Sequence, residues 1–277
     1  MPRFKKIYVE ISNICNMNCS FCPGTKRAKK SMSVDEFTSV LNKCQGYTDY
    51  IYFHLLGEPL CHPELERFLE ISAEKGFKVI ITTNGTLIGK NAHLLLNSPA
   101  VHKVVISLHS FEANTIKGSL NNYLEDCLNF AKCGEGEKII ALRLWNNGGK
   151  ESLNSEILCH IENAFPKPWK NSRGGTAVAD KVFLQFGDKF DWPNITDTET
   201  EKPTFCYGLR DQLGILADGT VVPCFLDSEG TINLGNIFES TLEEIITSKR
   251  AADLYNGFSN RKPTEELCRK CTYATRF

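Results

Sequence analysis

Apolar positions over the first two thirds of the chain follow two alternating rhythms. Short β-branched runs predict six strands: "KIYVEIS" (6–12), "YIYFHL" (50–55), "KVIITT" (78–83), "KVVISLH" (103–109), "KIIALRLW" (138–145) and "KVFLQF" (181–186). Longer stretches with apolar residues at helical spacing lie between them: "SVDEFTSVLNKC" (33–44), "PELERFLEISAEKG" (63–76), "KNAHLLLN" (90–97), "LNNYLEDCLNFAKC" (120–133) and "SLNSEILCHIENAF" (152–165). Ser33 and Glu36 stand at capping-box spacing, and Gly76 closes the second helical stretch. A strand followed by a helix, repeated, demands a parallel sheet with right-handed crossovers. The expected fold is α/β, a partial (β/α)6 barrel of the TIM-like kind.

The rhythm changes near residue 190. "KNSRGGTAV" (170–178) reads as a loop inside the first domain, and "DWPNITDTETEKP" (191–203) as a linker. Beyond it, "PTFCYGLRDQLGILADGTVVPCF" predicts two short strands around an "ADGT" turn, and "TLEEIITSKRAADLYN" one helix. The expected domains are 1–190, a linker over 191–203, and a small α+β domain over 204–277. The last has a thin core of its own, and a bound metal or cluster would add the stability it lacks.

Composition narrows the class. Lys and Arg number 32 against 33 Asp and Glu, a net charge of −1, so nucleic acid is not an expected partner. No apolar signal core follows the N-terminus, and no run approaches the ~20 apolar residues of a membrane span. A cytoplasmic protein is therefore expected. Twelve cysteines in 277 residues then speak for metal or redox chemistry rather than for a disulfide framework.

Seven of those cysteines form two groups. Cys15, Cys19 and Cys22 follow the first strand, at the sheet end where parallel α/β folds place their active sites. Three thiolates round a cubane leave one iron open to a small molecule. A zinc knuckle with a distant fourth ligand, or three merely buried cysteines, are the competing readings. Cys206, Cys224, Cys268 and Cys271 form the second group. Four thiolates suit an iron–sulfur cluster or a zinc ribbon equally by spacing.

The C-x3-C-x2-C loop, with Phe21 before Cys22, resembles the signature of radical S-adenosylmethionine (radical SAM) enzymes. "LLGEPLCHPEL" (55–65) resembles the Gly-Glu-Pro motif of that family. "TTNGTL" (82–87), "ISLHS" (106–110) and "LRLWN" (142–146) end the next three strands, as the family's motifs do. The second cysteine group resembles the SPASM or twitch extension, with enough cysteines here for one auxiliary [4Fe-4S] cluster. The resemblance implies S-adenosylmethionine and a [4Fe-4S] cluster on Cys15, Cys19 and Cys22. The cofactors would supply a 5′-deoxyadenosyl radical that takes hydrogen from a peptide, protein or small-molecule substrate. It implies further that Gly57 and Glu58 meet the methionine ammonium, and that Arg143 clamps its carboxylate. Ser107 and Asn84 would contact carboxylate or ribose, and Phe21 the adenine. The family's ribose position after the fourth strand often carries an acidic residue; here His109 stands nearby. A flavodoxin- or ferredoxin-type electron donor is implied as well.

Other residues are candidates by position alone. Cys61, just past the Gly-Glu-Pro motif, would be a hydrogen-atom donor. Asp188, Asp191 and Trp192, leaving the sixth strand, are substrate-side candidates. His54, His62 and His109 would shape the pocket. Cys44, Cys127 and Cys159 are expected to pack inside helices. With the cysteine loop beginning at Cys15, no peptide-binding module is expected before it. Two further functions stay in view. One is a small-metabolite alcohol dehydrogenase of the same superfamily. The other is a zinc- or cluster-binding redox or docking module without turnover.

Overall fold

The computed structural model describes residues 4–114, 118–200 and 205–276. Residues 201–204, which end the expected linker and begin the expected second domain, lie outside the described residues. The core is built of β1 (Lys6–Val9), α1 (Val34–Cys44), β2 (Tyr50–Tyr52), α2 (Leu65–Glu74), β3 (Lys78–Thr83), α3 (Ile88–Asn97), β4 (Val101–Ser107), α4 (Leu120–Cys133), β5 (Ile139–Asn147) and α5 (Asn154–Ala164). A hairpin of β6 (Lys170–Ser172) and β7 (Gly175–Ala179) leads into β8 (Val182–Asp188). Then come β9 (Gln212–Ile215), β10 (Val221–Val222), α6 (Leu242–Thr247), α7 (Lys249–Ser259) and the short α8 (Glu266–Arg269).

All ten strands join one sheet, in the order β10-β9-β1-β2-β3-β4-β5-β8-β7-β6. The run β1-β2-β3-β4-β5-β8 is parallel throughout, the predicted partial barrel. Period-2 alternation sorts its side chains. Ile7, Val9, Ile51, Val79, Ile81, Val104, Ile106, Ile140 and Leu142 face the helices in the main core. Tyr8, Tyr52, Ile80, Val105 and Ala141 belong to separate small clusters on the sheet's other side. α1 shows how a helix is seated. Its capping box, Ser33 with Glu36, satisfies the first turn, and Phe37 stacks on Phe68 of α2 with centroids 4.1 Å apart. Each such fully buried aromatic contributes about 1.5–3 kcal/mol.

Two sequence expectations change. The stretch 170–178 is a β-hairpin, not a loop: Lys170 pairs with Ala177 and Ser172 with Gly175, and β7 lies antiparallel to β8. Gly175 makes the turn possible, because at φ 119° a Cβ there would meet the Leu184 carbonyl oxygen at 2.5 Å. The single C-terminal helix is two. Ser248 leaves the helical region (ψ 154°) and its side chain accepts the Ala251 N–H, capping α7. The two C-terminal strands flank the ADGT turn as expected and extend the barrel's sheet. β9 runs parallel to β1, with Lys6 opposite Gln212 and Val9 opposite Ile215, and β10 is antiparallel to β9.

This last pairing positions the site. It brings the second cysteine group against the first edge of the barrel. Among the described residues, no helix is long and apolar enough to cross a membrane.

Candidate active site

A cavity of about 290 Å³ opens at the C-terminal ends of the barrel strands. Cys15, Cys19 and Cys22 ring one side of it. Their loop is held at its base by polar contacts. Asn13 donates to the Ala28 carbonyl and accepts from Lys30 N–H, and the Ser12 and Ser31 hydroxyls meet at 2.9 Å. Beneath them Glu10, fully buried at the end of β1, pairs with Arg27 at 2.6 Å. The second Glu10 oxygen accepts the Ala217 N–H, and Arg27 donates to the Ser228 carbonyl. A charge this deep requires such a partner, so the pair ties the loop to the C-terminal region.

All twelve thiols are free. Partial burial raises Cys15, Cys19 and Cys22 above the ordinary thiol value. Among the described residues, no three His, Cys, Asp or Glu side chains converge tightly enough to hold a single metal ion. The three cysteines instead share a cavity rim, soft donors that lose their protons on binding metal.

The motif residues reach the same cavity. Gly57 sits at φ 77°, and a Cβ on it would lie 2.1 Å from the Ser12 carbonyl oxygen, so only glycine lets β2 close on the cysteine loop. Glu58 is buried, and its carboxylate accepts Leu60 N–H at 3.0 Å and Asn84 N–H at 2.8 Å. Burial raises its pKa against those hydrogen bonds. The carboxylate thus already joins β2 to β3, with the Thr83 side chain as a further donor to it. Asn84 turns toward the cysteine loop: its Nδ2 donates to Asn16 Oδ1 at 2.9 Å and approaches Cys15 Sγ at 3.8 Å.

Ser107 and Arg143 lie side by side in register on β4 and β5, and both line the cavity. The Arg143 guanidinium stacks on Trp145 at 3.9 Å. Its buried Nε has no hydrogen-bond partner, and burial lowers its pKa to about 10. A buried guanidinium without a carboxylate is costly, and an anion entering the cavity offsets that cost. This orphaned cation and the three soft thiols are what fit the residues to an S-adenosylmethionine carboxylate and an iron–sulfur cluster. Phe21 packs on His109 with centroids 5.0 Å apart. Burial lowers His109 to about 4 and His54 to about 3, so both stay neutral pocket walls.

Several candidates lie elsewhere. Asp188 and Asp191 are exposed and do not line the cavity, and Asp191 pairs with Lys189 at 3.3 Å in solvent. Of that group only Trp192 reaches the wall. Cys61 sits in the turn behind Glu58, off the cavity lining. His62 packs on Phe68 and bonds to main-chain groups, so it shapes the core rather than the pocket. Cys44 and Cys127 are buried as expected, whereas Cys159 is exposed. Trp145, inside the motif that ends β5, is joined by Phe190 and Phe225, which no motif announced, in an aromatic wall. They are ordinary core-type residues in sequence, and only the sheet's curvature gathers them.

Cys206, Cys224, Cys268 and Cys271 meet round a second, small cavity of about 30 Å³, floored by Leu226, Phe258 and Leu267. Burial pushes Cys206 up to about 11 and also raises Cys224 and Cys268 well above the ordinary thiol value. Phe225 lines both cavities, with Tyr273 at 5.8 Å behind it.

Two cysteine-lined chambers, the first opening to a cavity with room for a small molecule, suit a metal- or cluster-dependent protein. Residues 9–131 match the radical SAM superfamily, and residues 206–272 match SPASM, an iron–sulfur cluster-binding domain. This chain belongs to the radical SAM superfamily and carries a SPASM-type C-terminal region. It is 25% identical over 277 aligned residues to the S-adenosyl-L-methionine-dependent 2-deoxy-scyllo-inosamine dehydrogenase of Niallia circulans, covering 97% of this chain and 92% of that protein. The structure of BtrN with AdoMet and 2-DOIA superposes with a TM-score of 0.64 at 18% identity, covering 98% of this chain and 94% of BtrN. That of anSMEcpe with AdoMet and the Cp18Cys peptide gives 0.63 at 18% identity, covering 98% and 87%. Three further curated relatives align over only 25%, 31% and 33% of their own lengths.

Proposed function

We propose that this radical SAM enzyme oxidises or cross-links an apolar or aromatic side chain of a peptide or protein. When bound, the cluster and S-adenosylmethionine supply a hydrogen-abstracting radical, and the second cluster moves an electron. The chain's residues do the rest. Cys15, Cys19 and Cys22 hold the first cluster, Cys206, Cys224, Cys268 and Cys271 the auxiliary one. Arg143 and Ser107 take the methionine carboxylate, the Gly57–Glu58 turn its ammonium, and Asn84 braces the cysteine loop. Phe21 and His109 flank the adenosine. Trp145, Phe190, Trp192 and Phe225 exclude water from the reacting carbon. The division of labour is a core through residue 190, a linker, and a cluster-binding unit from 204. A flavodoxin- or ferredoxin-type donor in the cytoplasm supplies the electrons.

The observation behind the peptide reading is the makeup of the cavity wall. Besides Phe21 at the adenosine, four Phe and Trp rings line it, and its one carboxylate, Glu58, is already engaged by two backbone N–H groups. A cationic polyol needs free acceptors, whereas an apolar side chain needs rings. The second reading is dehydrogenation of a small hydroxylated metabolite. It is favoured by the near full-length likeness to the inosamine dehydrogenase.

The test is anaerobic turnover with reductant, S-adenosylmethionine and two substrate sets: peptides rich in Leu, Ile, Phe, Tyr and Trp, and 2-deoxy-scyllo-inosamine. A peptide product two mass units lighter, formed with 5′-deoxyadenosine, supports the proposal. Oxidation of the amino-polyol alone sinks it.

A further inference from the structure

Asn114 lies in the turn after β4, and its side-chain amide makes three hydrogen bonds. Nδ2 donates to Cys19 Sγ at 3.0 Å and to the Ser110 carbonyl at 2.8 Å, while Oδ1 accepts the Asn18 N–H at 2.8 Å. These bonds fix the orientation of the amide. Its oxygen must face a donor and its nitrogen an acceptor, and no flipped placement satisfies both. One residue earlier, the Ala113 carbonyl accepts the Ser20 N–H at 3.0 Å. Both sides of Cys19 are therefore stitched to this turn.

The other two site thiols are held differently. Cys15 Sγ takes the Met17 N–H at 3.4 Å and the Asn84 amide at 3.8 Å, both longer contacts. Among the described residues, Cys22 has a main-chain donor, Gly24. Among the described residues, Cys19 alone of the three receives a short side-chain amide hydrogen bond, with the Ser110 side chain as a second donor.

We propose that Asn114 is a positioning residue that aims Cys19 and, by donating to its thiolate, raises the reduction potential of the cluster this loop holds. The proposal rests on the radical SAM reading above. An electron added to an iron–sulfur cluster falls partly on its sulfurs, so an N–H donor there stabilises the reduced state more than the oxidised one. Such partners also set the direction of the ligand itself.

Two variants separate the roles. Asn114→Asp keeps an acceptor for Asn18 and removes the amide donor to sulfur, leaving the Ser110 side chain in place; Asn114→Ala removes both of the Asn114 contacts. The readouts are iron per chain and the midpoint potential of the cluster whose paramagnetic signal changes when S-adenosylmethionine is added. The expected result is retained iron in Asn114→Asp. At a fixed poise, about tenfold less of its cluster is reduced, which is about 59 mV for a one-electron couple. A wild-type midpoint in either variant that keeps its iron overturns the proposal. Loss of iron from both variants also overturns it, because Asn114 is then only a clamp. If the wild type itself shows no cluster responsive to S-adenosylmethionine, the radical reading fails and this proposal with it.

Discussion

The two cysteine groups use the same atoms in opposite settings. The first lies on a loop over an open cavity of about 290 Å³, with Cys15 and Cys22 exposed. The second encloses about 30 Å³ among Leu226, Phe258 and Leu267, and burial pushes its thiols further up. Three thiolates holding a metal centre at an open rim would leave room for a substrate or cofactor to complete its shell. Four in an apolar nest would close the shell and leave electron transfer or stability as the work. The difference in chemistry thus lies in what surrounds the cysteines, above all Arg143 beside the first group and aliphatic packing round the second.

The largest expected break in this comparison is Cys19→Ala. Reductive cleavage of S-adenosylmethionine should fall to background, read as 5′-deoxyadenosine by chromatography. Retained cleavage would remove the first group from catalysis. Cys268→Ala comes next and should act differently. Uncoupled cleavage persists while product from substrate drops at least about tenfold, and iron per chain falls by about half. If a folded variant loses all cleavage, the two groups do not have separate tasks.

Arg143→Lys sharpens the contrast at the open site. A point charge replaces a fork, and hydrogen bonds to charged groups are worth about 1.5–3 kcal/mol, so the KM for S-adenosylmethionine should rise about tenfold to a hundredfold. An unchanged KM would place the carboxylate elsewhere.

The smallest effect concerns pH. Burial depresses His54 to about 3 and His109 to about 4, below the unfolded value near 6.5. Between those values the unfolded chain binds more protons than the native one. Stability therefore falls as pH drops below about 6.5, by at most about 1.4 kcal/mol per pH unit for each histidine. Urea midpoints between pH 7 and 5 should show this slope, and His54→Phe should flatten part of it. An unaltered slope would assign the acid sensitivity to other groups.

Much of this was readable before any coordinates. The capping box at Ser33, the alternating strands and the Gly57 turn are local features, dictated by neighbours within a few residues. The hairpin at 170–178 was not readable, because its apolar content is low and its pairing depends on β8. Nor was the break at Ser248, where a side chain competes with the helix for one N–H. Asp188 and Asp191 looked promising as acids leaving the sixth strand, yet sequence position says nothing about which way a loop residue faces.

The sequence by itself determined the barrel's repeating unit, the two cysteine sets and the motifs that end each strand. Periodicity and spacing along one chain are enough to specify those. Only the tertiary structure decided that β9 pairs with β1, that Glu10 and Arg27 clamp the cysteine loop, that Asn114 reaches Cys19, and that Phe225 separates the two chambers. Glu10 to Ala217 and Cys19 to Asn114 span 207 and 95 residues, respectively. Contacts that distant arise from how the sheet curves and closes, which no local pattern encodes.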